Sequence, residues 1–174
     1  TAGFHFTEAL IDALTARGAR FYDLTLHVGL GTFQPISSPR VEDHPMHTET
    51  YEIPQATAEA LATPPDREGP RVAIGTTCVR AVEDYLRRET RPPDPASLPV
   101  IREAGLFITP PFRFSGTDHL ITNFHLPRST LLCLVAAFLA PGEDTGLEWL
   151  KSIYAEAVAR GYRFFSYGDA MLIL

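Results

Sequence analysis

Residues 130–140 (TLLCLVAAFLA) constrain this chain more than any other stretch. Ser129 or Thr130 can cap a helix here, and the eleven residues that follow carry no charge on any face. A helix that is apolar all round must be covered all round, so this one is expected inside the fold with packing partners on opposite sides. The run is too short to cross a bilayer, which takes roughly 20 apolar residues. Nothing else in the chain is longer or more apolar, so no membrane partner is expected.

The flanking elements follow from periodicity. Thr7 can cap a helix to about Arg17, with Leu10, Ile11 and Leu14 on one face and Gly18 as the stop. From Phe21 to Val28 apolar residues alternate with Asp23, Thr25 and His27, the pattern of a half-buried strand. Residues 29–50 hold Gly, Pro, Ser and His without a sustained period and read as a long loop. A short helix is expected after Pro54 to Ala62, then a polar turn from Thr63 to Pro70. Arg71–Thr77 reads as a buried strand that passes through Gly75 into a helix ending near Arg88. Glu89–Pro99, with four prolines, reads as a connector, and further strands are expected at Leu106–Ile108, Leu120–Phe124 and Tyr162–Ser166. Leu147–Arg160 is an amphipathic helix ending at Gly161. Strands alternating with helices predict an α/β domain of three layers over residues 1–174, with a largely parallel sheet and helices on both faces.

In such sheets ligands sit beyond the carboxyl ends of the strands, which selects the polar residues that matter. Gly29, Gly31 and Thr32 form a turn at a strand end, either a tight structural turn or a wall for a carboxylate or ribose. The turn lacks the third glycine of a dinucleotide fingerprint. Thr76 and Thr77 open a helix, where they can cap it or offer donors to an anion or a sugar hydroxyl. Arg80 places a cation near the positive end of that helix dipole, which calls for an anionic partner close by. Asp43, His44, His47 and Glu49 put two imidazoles and two carboxylates within seven residues. They suit acid and base work, or a metal; Pro45 and the missing HExxH pattern weigh against the metal. Asn123 and His125 close another strand, and Tyr167, Gly168 and Asp169 follow the last one. Phe164, Phe165 and Tyr167 are expected to give Asp169 low-polarity surroundings that raise its pKa.

Charge and cysteine usage narrow the partners. A net charge of −6 opposes broad, non-specific nucleic-acid binding, although all basic residues but Lys151 are arginines, which suit bidentate phosphate contacts. Two distant cysteines, Cys78 and Cys133, build neither a disulfide framework nor a four-thiolate zinc site, as expected for a reducing cytoplasm. The sequence starts at Thr1 directly inside the motif TAGFHF, so it reads as cut from a longer protein.

Six blocks in order resemble one family: TAGFHF at 1–6, TLHVGLGTF at 25–33, HPMHTE at 44–49, IGTTCVR at 74–80, LITNFHLPRSTLLCLVAAF at 120–138 and YRFFSYGDAMLI at 162–173. That family is the S-adenosylmethionine:tRNA ribosyltransferase-isomerases. The resemblance implies a protein about twice as long, an α/β domain with a small inserted β-barrel, of which this chain matches the part after the barrel. Cys78 stands where the family usually has Ser. The implied reaction moves the ribosyl part of S-adenosylmethionine onto the aminomethyl-deazaguanine wobble base of a tRNA, giving epoxyqueuosine with loss of adenine and methionine. The implied partners are that tRNA, the co-substrate S-adenosylmethionine and the N-terminal half of the same enzyme, with no metal or redox cofactor.

On this reading Asp169 and His47 are the candidates for base and acid, followed by His27, His125 and Glu49. Gly29, Gly31, Thr32, Thr76, Thr77, Arg80, Asn123 and Tyr167 are the candidate substrate contacts. Two alternatives stay open: a metal-dependent hydrolase built on His44, His47, Glu49 and Asp169, and a non-catalytic fragment that binds tRNA or cofactor.

Overall fold

The computed structural model describes residues 1–29, 31, 34–63, 69–89 and 98–174. Five α-helices and six strands follow in the order α1 (Glu8–Thr15), β1 (Thr25–His27), β2 (Glu49–Ile53), α2 (Gln55–Ala62), β3 (Val72–Ile74), α3 (Thr76–Arg88), β4 (Val100–Ala104), β5 (His119–Asn123), α4 (Thr130–Leu139), α5 (Gly146–Ala159) and β6 (Ala170–Ile173). Much of the expected turn at 63–70 and connector at 89–99 lies outside the described residues.

The α/β class holds, but the strands of the described residues do not make a largely parallel sheet. The strands divide into two sheets of three, ordered β1-β2-β4 and β3-β5-β6. The first is antiparallel throughout, with Thr25 opposite Glu52 and Glu49 opposite Ala104. In the second, β3 runs parallel to β5 and β6 antiparallel to it.

Two strands that sequence periodicity did not find, β2 and β4, have inward sets that are not simply apolar. On β2 the buried residues are Glu49, Tyr51 and Ile53, so a carboxylate occupies a position where alternation requires a hydrophobe. On β4 only Val100 and Ala104 are fully inward, and 106–108, expected as a strand, instead passes along a cleft. Tyr162–Ser166 does not extend either. Phe165 has a positive φ of 73°, its N–H donates to the Phe124 carbonyl, and the strand is delayed to β6.

Helix α3 joins the two sheets. Its Ala81 and Tyr85 pack with Tyr51, Ile53, Val100 and Ala104 of the first sheet, while its Val79 packs with Ala73 and Leu120 of the second. Its buried charges are each engaged. Glu83 accepts the N–H groups of Ser115 and Gly116, and Asp84 takes the Tyr51 hydroxyl and the Arg88 guanidinium.

The uncharged helix α4 lies inside, as its composition requires. Leu134, Ala137 and Phe138 face α3 and the second sheet, while Val135 and Ala136 face Leu150 of α5. The approach of α5 depends on Gly146, because a Cβ there would run into the Ala136 carbonyl. Among the described residues no helix is long and apolar enough to cross a membrane. Gly146→Ala is therefore expected to destabilise the fold by about 1–3 kcal/mol through overpacking, read as a lower urea midpoint with an unchanged denaturant slope.

Candidate functional site

The carboxyl ends of the parallel pair β3 and β5 lead to Gly75 and Asn123, and the polar candidates gather around them. Gly75 takes a positive φ of 97°, open to glycine, and its N–H donates to the Ile121 carbonyl. It turns the chain directly into α3 without any side-chain cap. The first-turn N–H groups of Thr76, Thr77 and Cys78 therefore have no partner within the helix.

One turn on, Arg80 reaches back across the first sheet. Its Nη1 donates to Glu49 Oε2 at 2.6 Å, its Nη2 to the carbonyls of His47 (2.7 Å) and Ala104 (2.9 Å), and its Nε to the Leu106 carbonyl (3.1 Å). Only 6% of Arg80 and 4% of Glu49 is exposed. The anion demanded by a cation near this helix start is thus Glu49, supplied by β2. The guanidinium is committed to the protein, so Arg80 acts on the site by positioning rather than as an open carboxylate receptor.

The other Glu49 oxygen accepts the Gly29 N–H at 2.7 Å and stands 3.4 Å from His47 Nε2. Gly31 lies flat against that imidazole; a Cβ there would come within 2.6 Å of His47 Cγ. Burial, the largest influence, lowers the His47 pKa, with Glu49 opposing and Arg80 adding to the shift. Arg80, by donating to the His47 carbonyl, fixes the backbone that carries this ring.

Glu49 and Arg80 line a cleft together with Leu26, Val28, Met46, Thr76, Thr77, Leu106, Phe107, Ile108, Thr130, Leu131 and Leu134, and His47 stands behind these two charged residues. Thr130 was missed as a site residue in the sequence, where it reads only as a helix start. The doubled hydroxyls of Ser129 and Thr130, where one suffices to cap, were the available signal.

A second group forms around Asn123. Its Oδ1 accepts the Thr1 hydroxyl at 3.0 Å, and its Nδ2 lies 3.4 Å from both His5 Nε2 and the Asp169 carbonyl. His125 is buried with Nε2 2.9 Å from the Thr122 hydroxyl, and burial pushes its pKa down to about 4. Tyr167 is exposed and stacks on Phe4. His27 is exposed on β1, and Thr32 lies outside the described residues.

The expected environment of Asp169 is corrected. Instead of low-polarity surroundings, its carboxylate accepts the Arg163 backbone N–H at 2.7 Å and the Arg163 guanidinium at 2.8 Å. These hydrogen bonds hold its pKa below the ordinary value, which makes it a poor base and a closure for the turn at 163–169. Gly168 is needed for that turn, because a Cβ would strike the Arg163 carbonyl. The hydrolase arrangement does not assemble: among the described residues no three His, Cys, Asp or Glu side chains gather as a metal would require.

Comparison with known proteins places this geometry. A family described as queuosine biosynthesis protein matches residues 1–173. The S-adenosylmethionine:tRNA ribosyltransferase-isomerase of Thermotoga maritima is 48% identical over 174 residues, covering 100% of this chain and 48% of that protein. The protein of the same name from Geobacter metallireducens is 50% identical over 173 residues, covering 99% and 47%. A crystal structure of an S-adenosylmethionine tRNA ribosyltransferase from Thermotoga maritima superposes with a TM-score of 0.71 at 42% identity, over 100% of this chain and 52% of that one. The chain spans about half the length of the curated relatives it matches.

Two outcomes follow from the site. Arg80→Ala leaves the Glu49 carboxylate buried without its cation and should destabilise the fold by about 3–5 kcal/mol, measured by urea denaturation. Asp169→Asn should lower the thermal midpoint at pH 7. A depressed carboxylate pKa stabilises above the unfolded value and ceases to as pH falls through the folded one, so the gap between variant and wild type should close in acid.

Proposed function

This chain belongs to the queuosine biosynthesis protein family, and we propose that it forms the S-adenosylmethionine-binding part of a tRNA ribosyltransferase-isomerase. The reaction transfers the ribosyl group of S-adenosylmethionine to the aminomethyl-deazaguanine wobble base of tRNA, releases adenine and methionine, and closes an epoxide. It needs no metal or redox cofactor, because the sulfonium itself acidifies the neighbouring ribose C–H and makes methionine a good leaving group.

What such a reaction asks of the protein is a positioned neutral base and donors that hold the sugar and amino-acid ends. The observation that carries the reading is the buried Arg80–Glu49 pair, which lines the cleft that the uncapped start of α3 also faces and holds His47 against itself. His47 takes the proton, and Glu49 at 3.4 Å stabilises the imidazolium that forms. Gly29 and Gly31 keep the approach to that ring narrow. His125, neutral and hydrogen-bonded to Thr122, shapes the neighbouring strand end with Asn123. The apolar lining of the cleft, with Phe107, suits the adenine and the methionine chain. The tRNA and the remainder of a chain of the relatives' length complete the assembly.

His47→Gln, made in these 174 residues carried within a polypeptide of the relatives' full length, tests the assignment. Single-turnover formation of the modified base should fall by about a hundredfold or more, while S-adenosylmethionine affinity by calorimetry stays within a few-fold. Because burial lowers the imidazole pKa below 6.5, wild-type kcat/KM should stay level through neutral pH and decline only below that value, as the base becomes protonated. Turnover that survives the substitution removes His47 as the base.

A further inference from the structure

The cleft beside Arg80 receives two helix starts rather than one. Thr76 and Thr77 bring the uncapped N-terminus of α3, and Thr130 and Leu131 bring the N-terminus of α4, which Ser129 caps. The two helices pack side by side through Val79 and Leu134, so their positive dipole ends open onto the same space. In α4, Ser129 already supplies the cap: its hydroxyl accepts the Leu131 N–H at 3.0 Å and its carbonyl the Leu132 N–H at 3.1 Å. Thr130 is thus superfluous as a cap. Yet it is 4% exposed, and its Oγ1 is buried without any hydrogen-bond partner. A buried hydroxyl without a partner destabilises the fold, so its position in the lining of this cleft calls for a ligand.

We infer that Thr130, with the first turn of α3, forms the subsite that receives the carboxylate of the amino-acid end of S-adenosylmethionine. The inference rests on the proposed reaction above and identifies which part of its substrate sits here. An anion fits because both helix ends present donors and positive potential. Arg80, the cation among the residues described as lining the cleft, is already neutralised by Glu49, so the helix ends supply the attraction. The carboxylate accepts from the Thr130 hydroxyl and from the N–H groups of Thr76 and Thr77, while Leu131 and Leu134 border the adjoining methylenes.

Thr130→Val keeps shape and removes only the hydroxyl, and the test uses it in the 174 residues carried within a polypeptide of the relatives' full length. Affinity is measured by calorimetry for S-adenosylmethionine and for its decarboxylated analogue, with thermal melting alongside. The variant should melt at or above the wild-type temperature, because an unsatisfied polar group is gone. It should bind S-adenosylmethionine about tenfold more weakly or worse, the scale of a hydrogen bond to a charged group. It should bind the decarboxylated analogue as wild type does. Equal weakening for both ligands, or none for either, overturns the carboxylate subsite while leaving the proposed reaction standing. Weakened binding of tRNA with unchanged S-adenosylmethionine affinity assigns the site to a phosphate and overturns it as well. A wild-type protein that binds neither sulfonium compound overturns the underlying reaction and the subsite with it.

Discussion

The guanidinium of Arg80 is the point at which α3, the helix packed on both sheets, is pinned to the first of them. It leaves α3, crosses to Glu49 on β2, and closes on carbonyls of Ala104, Leu106 and His47. A buried ion pair gains little net stability against a well-packed hydrophobic pair of the same volume, since desolvation offsets the Coulomb term. What it supplies is a geometric requirement: five donors in a rigid plane accept one arrangement of β2, β4 and the segment after β4. A hydrophobic substitute could fill the space without fixing where the His47 backbone lies.

That requirement also explains which parts of the fold sequence patterning could read. The uncharged run at 130–139 announced its burial, and it lies between two clusters as an all-apolar helix must. The helix at 76–88 was equally legible from its glycine entry and its length. Strand β2 was not, because Glu49 replaces a hydrophobe in the inward set and its burial makes sense only with Arg80, thirty-one positions away. Asp169 shows the complementary error. The aromatic residues beside it in sequence suggested a dry pocket, yet positive φ at Phe165 redirects the turn, and the carboxylate meets Arg163 instead. Neighbours along the chain are a poor guide to the surroundings of a side chain at a reversal.

Candidate residues chosen for lying at strand carboxyl ends still meet there, although the described strands do not make the sheet from which the choice was drawn. Among the described strands only β3 and β5 run parallel, but their ends still lead to Gly75 and Asn123, around which the candidates cluster. The reason is local. A parallel pair delivers each strand into a segment that must turn away, and here those segments lead to α3 and α4, whose N-termini remain on that side. One parallel pair is enough to bring two helix starts to one cleft.

The same arrangement resolves the tension between an acidic chain and an anionic ligand. A net charge of −6 describes the field at a distance, and over more than about 8–10 Å physiological salt screens most of it. Inside the cleft the nearest full charges are Arg80 and Glu49, 2.6 Å apart, and their fields largely cancel. What remains at short range is the partial positive charge of two helix ends, within a wall of leucine, isoleucine and phenylalanine side chains that lowers the local dielectric and strengthens it. The proposed subsite can therefore draw in a zwitterionic amino-acid group by its carboxylate. The acidic surface and the proposed carboxylate subsite are compatible because they act over different lengths.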